Sequence, residues 1–187
     1  AGVGTDTVDI GNASRAITEA EKAACRENGV TEVIEVKFGY DGIVFASRSD
    51  SGTFALEPRH VFLAQAAQIP RDGQMVANPY TRWNQIDASL PDQDIVLAIP
   101  GNNHGTREVY DLNVVRAGCT TFDEVKALEG DARNQFCDAI RTDGRIIEIA
   151  GDYTETLARL AAQRDAVGVF GLSFYENNRD RLKVATV

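Results

Sequence analysis

The sequence predicts an α/β fold, with helices layered on a sheet and ligands held at the carboxyl ends of its strands. Three observations carry that reading. Short apolar runs alternate with segments of helical period along the whole 187 residues. One apolar run, Asp94 to Ile99, is stopped by Pro100-Gly101 and followed, after a polar Gly-containing turn, by a helical pattern from Thr106 to Val115. Another, Asp165-Ala166-Val167-Gly168-Val169-Phe170-Gly171, has almost no polar position, as expected of a strand covered on both faces.

Taken in order, Val8-Asp9-Ile10 leads into a polar passage, Gly11-Asn12-Ala13-Ser14-Arg15. Thr18-Glu19-Ala20-Glu21 is a capping-box pattern that opens a helix ending at Asn28-Gly29. Its small residues Ala20, Ala23, Ala24 and Cys25 predict close packing on a sheet. Thr31 to Phe38 alternates and reads as a strand with one wet face, and Gly39-Tyr40-Asp41-Gly42 as a turn or crossing before a more buried strand, Ile43 to Ala46. Pro58 opens a helix through Gln68 with Val61, Phe62, Ala64, Ala66 and Ile69 inward. Residues 70–93, with three of the five prolines, read as an irregular excursion in which Trp83 packs as a plug. Beyond the central helix come two short helices over 122–128 and 132–140, a strand over 145–150, and a helix from Asp152 with Leu157, Leu160 and Ala161 on one face. The strand at 165–171, a short helix over 172–178 and a last strand over 182–187 complete the chain.

A net charge of −9 and a pI near 4.7 argue against a nucleic-acid partner, which would demand a basic patch. No apolar run approaches a membrane span. The chain starts at Ala1 without Met, as a processed precursor or an excised segment would. Cys119 and Cys137 either close a loop, restricting the unfolded chain by about 3 kcal/mol, or stay reduced and buried; Cys25 is left over. With only His60 and His104, and no Asp/His cluster, the sequence offers neither a metal centre nor a nucleophile–base pair, so no cofactor and no enzymatic activity are expected.

The turn from Pro100 to Glu108 is the place for chemistry. The free N–H groups of a helix start, with its macrodipole, make a socket for an anion. His104, Thr106 and Arg107 add donors there, and Gly105 brings backbone close. The alternative is a plain turn in which Gly permits the bend and Thr caps the helix. Arg107 either faces the ligand or lies one residue past it, paired along the helix with Asp111.

Several segments, in one order, resemble a family. Asp9-Ile10-Gly11-Asn12-Ala13-Ser14-Arg15 with Glu21 resembles the "DIGxSSRPL…E" segment of the phosphate-binding proteins of phosphate ABC transporters. Tyr40-Asp41-Gly42-Ile43-Val44 stands where that family has a "DGI" crossing strand. Trp83 with Leu90-Pro91-Asp92, Gly105-Thr106-Arg107-Glu108, and Ala166 to Ser173 resemble its "W…LPD", "SGTRE" and "AIGYVGLS" segments. The resemblance implies a type II periplasmic-binding-protein fold: two α/β lobes with a ligand cleft between them, here with the first lobe incomplete. It implies residues 1–42 and 169–187 as the remnant of the first lobe with the crossing segments, and 43–168 as the second lobe. It further implies Ser14, Arg15, His104, Gly105, Thr106 and Arg107 as ligands of inorganic phosphate or a similar oxyanion, an ABC permease as partner, and a periplasmic or secreted location. The chain departs from the family where Arg15 replaces an acceptor Asp, Pro100 falls near an expected Arg, and His104 replaces a Ser. An all-donor site would not separate phosphate from sulfate, and Asp41 is the remaining acceptor candidate. The departures also suit a signalling or adhesion module that keeps the fold.

Overall fold

In the computed structural model, which describes residues 10–13 and 15–186, contacts divide the chain into two units that meet between Asp41 and Gly42. The first holds helix α1, Glu19–Glu27. Its capping box forms as predicted: Glu21 N–H donates to Thr18 Oγ1 at 3.2 Å, and Thr18 N–H donates to the Glu21 carboxylate at 2.8 Å. Gly29, at φ +83°, turns the chain out of the helix. Along α1, Ala20 is exposed, Ala23 and Ala24 are half-buried, and Cys25 is buried. Thr31 to Phe38, expected as a strand, takes no regular structure. Its alternation suits a strand, yet a strand is held by a ladder to a neighbour, and this unit has no strand among its described residues.

The second unit is built, in order, of β1 (Ile43–Arg48), α2 (Pro58–Gln65), β2 (Gln68–Arg71), β3 (Gln74–Ala77), α3 (Trp83–Ile86), β4 (Val96–Pro100) and α4 (Gly105–Tyr110). A π-helical turn, Asp111–Val115, joins α4 to α5 (Arg116–Cys119). Then come α6 (Asp123–Lys126), α7 (Gly130–Asp138), β5 (Ile146–Ile149), α8 (Tyr153–Ala162), β6 (Ala166–Gly171), α9 (Leu172–Glu176) and β7 (Leu182–Val184). Five strands form one sheet in the order β5-β4-β6-β1-β7. β4 runs parallel to both β5 and β6, whereas β1 is antiparallel to β6 and β7. Residues 169–171 of β6 and 182–184 of β7 therefore bond within the sheet of this unit, Gly171 opposite Ile43 and Lys183 opposite Ser47.

Helices cover both faces, so the strands alternate between two cores. Val167 and Val169 join Phe45, Leu97 and Ile99 in the larger cluster with α2, and Ala166 and Phe170 join Ala46, Leu157 and Leu160 under α8. Every residue of β6 is buried, as its apolar run predicts. α5 crosses α2 so closely that a Cβ on Gly118 would overlap the Pro58 carbonyl. Cys119 and Cys137 are joined by a disulfide, tying α5 to α7, and Cys25 is free.

Three local expectations are corrected. α2 ends at Gln65 rather than Gln68, because Ala66 turns to extended backbone and the chain enters a hairpin. Residues 70–93 thus begin with an ordered β2–β3 ribbon, turned by Asp72 and Gly73 at φ +53° and +76°. Both are positive, as a tight hairpin turn demands. On α8 the buried face is Thr156, Leu157 and Leu160, and Ala161 is exposed. Tyr40, in the passage read as a turn or crossing, is exposed. Trp83 is the plug expected, fully buried with its ring edge-on to Phe54 at 5.4 Å.

Candidate functional site

The three parallel strands end together, at Pro100, Ile149 and Gly171, and each is followed by a helix start, at Gly105, Tyr153 and Leu172. This is the edge at which open α/β sheets hold ligands. The loop after β4 is shaped by glycine. Gly101 N–H donates to the Ile149 carbonyl at 2.8 Å, and a Cβ on Gly101 would stand 2.9 Å from that oxygen. Without a side chain the loop can run against the end of β5. His104 N–H closes back on the Gly101 carbonyl at 3.0 Å, and the His104 carbonyl accepts from Arg107 N–H at 3.0 Å to start α4.

That geometry leaves donors over. Among the described residues the N–H groups of Asn102, Asn103, Gly105 and Thr106 meet no acceptor, and Asn102, Asn103 and Gly105 are exposed. Orphan N–H groups at a helix start are the raw material of an anion site. The side chains brace the loop from behind. Asn103 Nδ2 and His104 Nε2 donate to the Ala150 carbonyl at 3.2 and 3.3 Å, leaving His104 Nδ1 uncommitted. Thr106 Oγ1 lies 2.6 Å from the Tyr153 hydroxyl, so the starts of α4 and α8 are hydrogen-bonded to each other. The space beneath the loop, lined by Pro100, His104, Asp152, Tyr153 and Val169, measures about 10 Å³. That is room for one water at most, so an anion would sit on the outer side, against the free N–H groups. Asp152 caps α8 through Thr154 N–H at 2.9 Å, and the Thr154 hydroxyl and N–H, with a smaller pull from His104, hold its carboxyl below the usual range.

Arg107 does not share that outer side. It is 7% exposed and its Nε lies 2.9 Å from both Asp111 oxygens. Its Nη1 donates to Glu148 at 2.9 Å and to the Pro100 carbonyl at 3.0 Å. The guanidinium therefore ties the end of β4 to β5 and to the next turn of helix. Burial works against its charge, and the two carboxylates more than offset that, so its pKa is raised. Burial also lifts the Asp111 carboxyl above its usual range, against the pull of Arg107.

Of the other residues expected at the site, Ser14 lies outside the described residues. Arg15 belongs to the first unit, where both ends of its guanidinium grip Glu21 at 2.8 Å. That pairing, with the Thr18 bonds, holds the Glu21 carboxyl far below the usual range. Asp41 is exposed in the same unit. His104, Gly105, Thr106 and Arg107 are brought together on one loop and helix start. Sequence reading missed Ala150, Tyr153 and Glu148. A signal existed: Ile149-Ala150-Gly151-Asp152-Tyr153 repeats the strand–Gly–helix-start pattern of the first loop.

The family model described as a PBP superfamily domain matches residues 3–187. The chain is 25% identical over 180 residues to Protein SphX of Synechococcus elongatus, across 96% of this chain and 44% of that protein. It is 23% identical over 175 residues to the phosphate-binding protein PstS of Staphylococcus epidermidis, across 94% and 43%. Among solved structures it is similar to PstS from Borrelia burgdorferi, with a TM-score of 0.57, 16% identity, and 93% and 55% of the two chains covered. A possible phosphate binding protein from Planctomyces limnophilus gives a TM-score of 0.54 at 20% identity, covering 92% and 50%. These structural likenesses establish the fold, and the chain spans about half the length of the curated relatives it matches.

Proposed function

This chain belongs to the PBP superfamily, and we propose that it carries the oxyanion-holding loop of a solute-binding protein that captures inorganic phosphate for an ABC-type importer. The observation that supports this most is the set of free N–H groups at Asn102, Asn103, Gly105 and Thr106, presented where three parallel strands end. Charge-assisted hydrogen bonds from those groups and from the Thr106 hydroxyl would hold the anion, and His104, whose Nε2–H is given to the Ala150 carbonyl, would add Nδ1 as a donor only as the imidazolium. Arg107 serves as the brace that fixes the loop. Ser14 and Arg15 enter as ligands through the family resemblance, with Arg15 exchanging Glu21 for the anion. In this reading residues 43–168 are the second lobe of a two-lobed protein, and 1–42 with 169–187 supply the remnant of the first lobe and the crossings. No bond is made or broken; the work is capture and release. The Cys119–Cys137 disulfide fits an oxidising compartment and so a periplasmic or secreted site of action, with a membrane permease as partner. No helix among the described residues is long and apolar enough to cross a membrane.

Titration calorimetry with phosphate, sulfate and molybdate tests the reading. Heat of binding for phosphate and for sulfate is expected, because backbone N–H donors hold the oxygens of either oxyanion alike. Absence of both heat and any rise in melting temperature overturns it. Gly105→Pro is the sharpest variant. Gly105 is the first helical residue, where proline fits, and His104 before it has the extended backbone proline requires, at φ −103° and ψ 135°. The variant removes one N–H donor, so phosphate affinity should fall about tenfold with the melting temperature held.

A second reading, a signalling or adhesion module of the same fold, draws on the pairing of both site arginines with carboxylates inside the molecule. Capture of a surface protein other than the permease, by a protein that gives no phosphate heat, would select it.

A further inference from the structure

Thr106 Oγ1 and the Tyr153 hydroxyl lie 2.6 Å apart, and two hydroxyls at that distance share one proton and leave one over. Neither oxygen has a further hydrogen-bond partner among the described residues. Which hydroxyl keeps the spare proton decides what an oxyanion finds at the loop. The phenol is the more acidic of the two, so it is the better donor and the aliphatic oxygen the better acceptor. Tyr153 also lines the space of about 10 Å³ under the loop, and Thr106 does not. Thr106 instead carries one of the free N–H groups, so a proton kept on its hydroxyl is offered beside those donors. We infer that Tyr153 donates to Thr106 and thereby commits the Thr106 proton to the oxyanion. Tyr153 is then a positioning residue that acts on the anion through Thr106 alone, an inference that rests on the oxyanion-holding reading of the loop.

The phenol is seated for this role. Its ring packs on Phe174 and Phe170, with centres 5.4 and 6.0 Å away. The two phenylalanines stack on each other, their planes 3° apart. At the end of β6, a Cβ on Gly171 would stand 3.2 Å from the Tyr153 oxygen, so glycine there leaves the hydroxyl its room. A ring locked by packing fixes its hydroxyl, and with it the hydroxyl that it bonds. Once the Tyr153 proton occupies a lone pair of Thr106, the Thr106 O–H is polarised as a donor, because bonds in a chain reinforce one another. Sulfate and hydrogen phosphate both have unprotonated oxygens to accept it. The pair therefore tightens the hold on tetrahedral oxyanions without choosing between them.

Calorimetry with phosphate and with sulfate, on the whole chain and its variants, tests this. Tyr153→Phe keeps the ring and removes the phenol; Thr106→Val keeps the shape and removes the relayed proton. T106V is expected to weaken both anions about tenfold, and Y153F about threefold. The double variant T106V/Y153F should bind no more weakly than T106V. Thr106→Ser, which returns a hydroxyl, should restore binding and again lose it in part when Y153F is added. A hydrogen bond that only ties α4 to α8 would lower the melting temperature of Y153F and leave both affinities unchanged, which overturns the proposal. Weakening of phosphate alone overturns it too, since Thr106 would then accept the proton of hydrogen phosphate and give its own to Tyr153. Losses that add in the double variant would put Tyr153 itself on the anion, and overturn the relay. These outcomes leave the loop reading standing; a wild-type chain with no heat for either anion removes that reading and this inference together.

Discussion

Arg107 shows how much of a residue's role is set by its distant neighbours. The spacing to Asp111 makes one of its pairs legible along the helix. Glu148 and the Pro100 carbonyl reach it only because β4 and β5 pair in parallel, which no local pattern announces. Removing the guanidinium strands a half-buried carboxylate. Arg107→Met, which keeps the apolar stem, should cost about 3 kcal/mol, read as a lower urea midpoint near neutral pH. The deficit should depend on pH. The Asp111 carboxyl already sits above its usual 3.8 in the folded protein. A raised folded value means stability is favoured below the unfolded pKa and lost as pH rises through the folded one. Without Arg107 that folded value climbs further, so the deficit should shrink as the solution is acidified toward pH 4 or so. A deficit equal at both ends of that range would show that Asp111 is not the group left exposed to the penalty.

At the scale of elements, local signals succeeded where the element's own residues decide its end. The capping box of α1, the stop of β4 at Pro100-Gly101, and the Asp152 start of α8 are all where the sequence places them. They failed where a partner decides. Thr31 to Phe38 has the alternation of a strand and lacks a ladder. The β2–β3 hairpin was legible after all, in Asp72-Gly73, and was masked by the prolines around it. Helix contacts add a constraint of their own at Gly118, where α5 meets the main chain of Pro58. Any side chain there must push two helices apart. Gly118→Ala should therefore destabilise the protein by about 2 kcal/mol, although alanine is the better helix former. Chemical denaturation decides it: a stabilised variant would mean the crossing can widen freely.

For the molecule as a whole, the α/β class and the order of family segments were readable, and so was the loop on which the proposed site rests. What could not be read was which donors remain free, because that depends on the parallel strand ends that claim the others. The buried embrace of Arg107 has one more consequence, and it is kinetic. A guanidinium shared between Asp111 and Glu148 gives the loop no surplus positive charge, and the chain carries −9 overall. An arriving oxyanion thus meets a repelling field at long range and attraction only at contact. Screening shortens the reach of that field from about 30 Å at 10 mM salt to about 8 Å near 150 mM. The association rate of phosphate, followed by phosphorus NMR line broadening, should accordingly rise as sodium chloride is added, the reverse of a site that steers its anion with free arginines. A rate that falls would mean that Arg15, Arg107 or both let go of their carboxylates before the anion arrives.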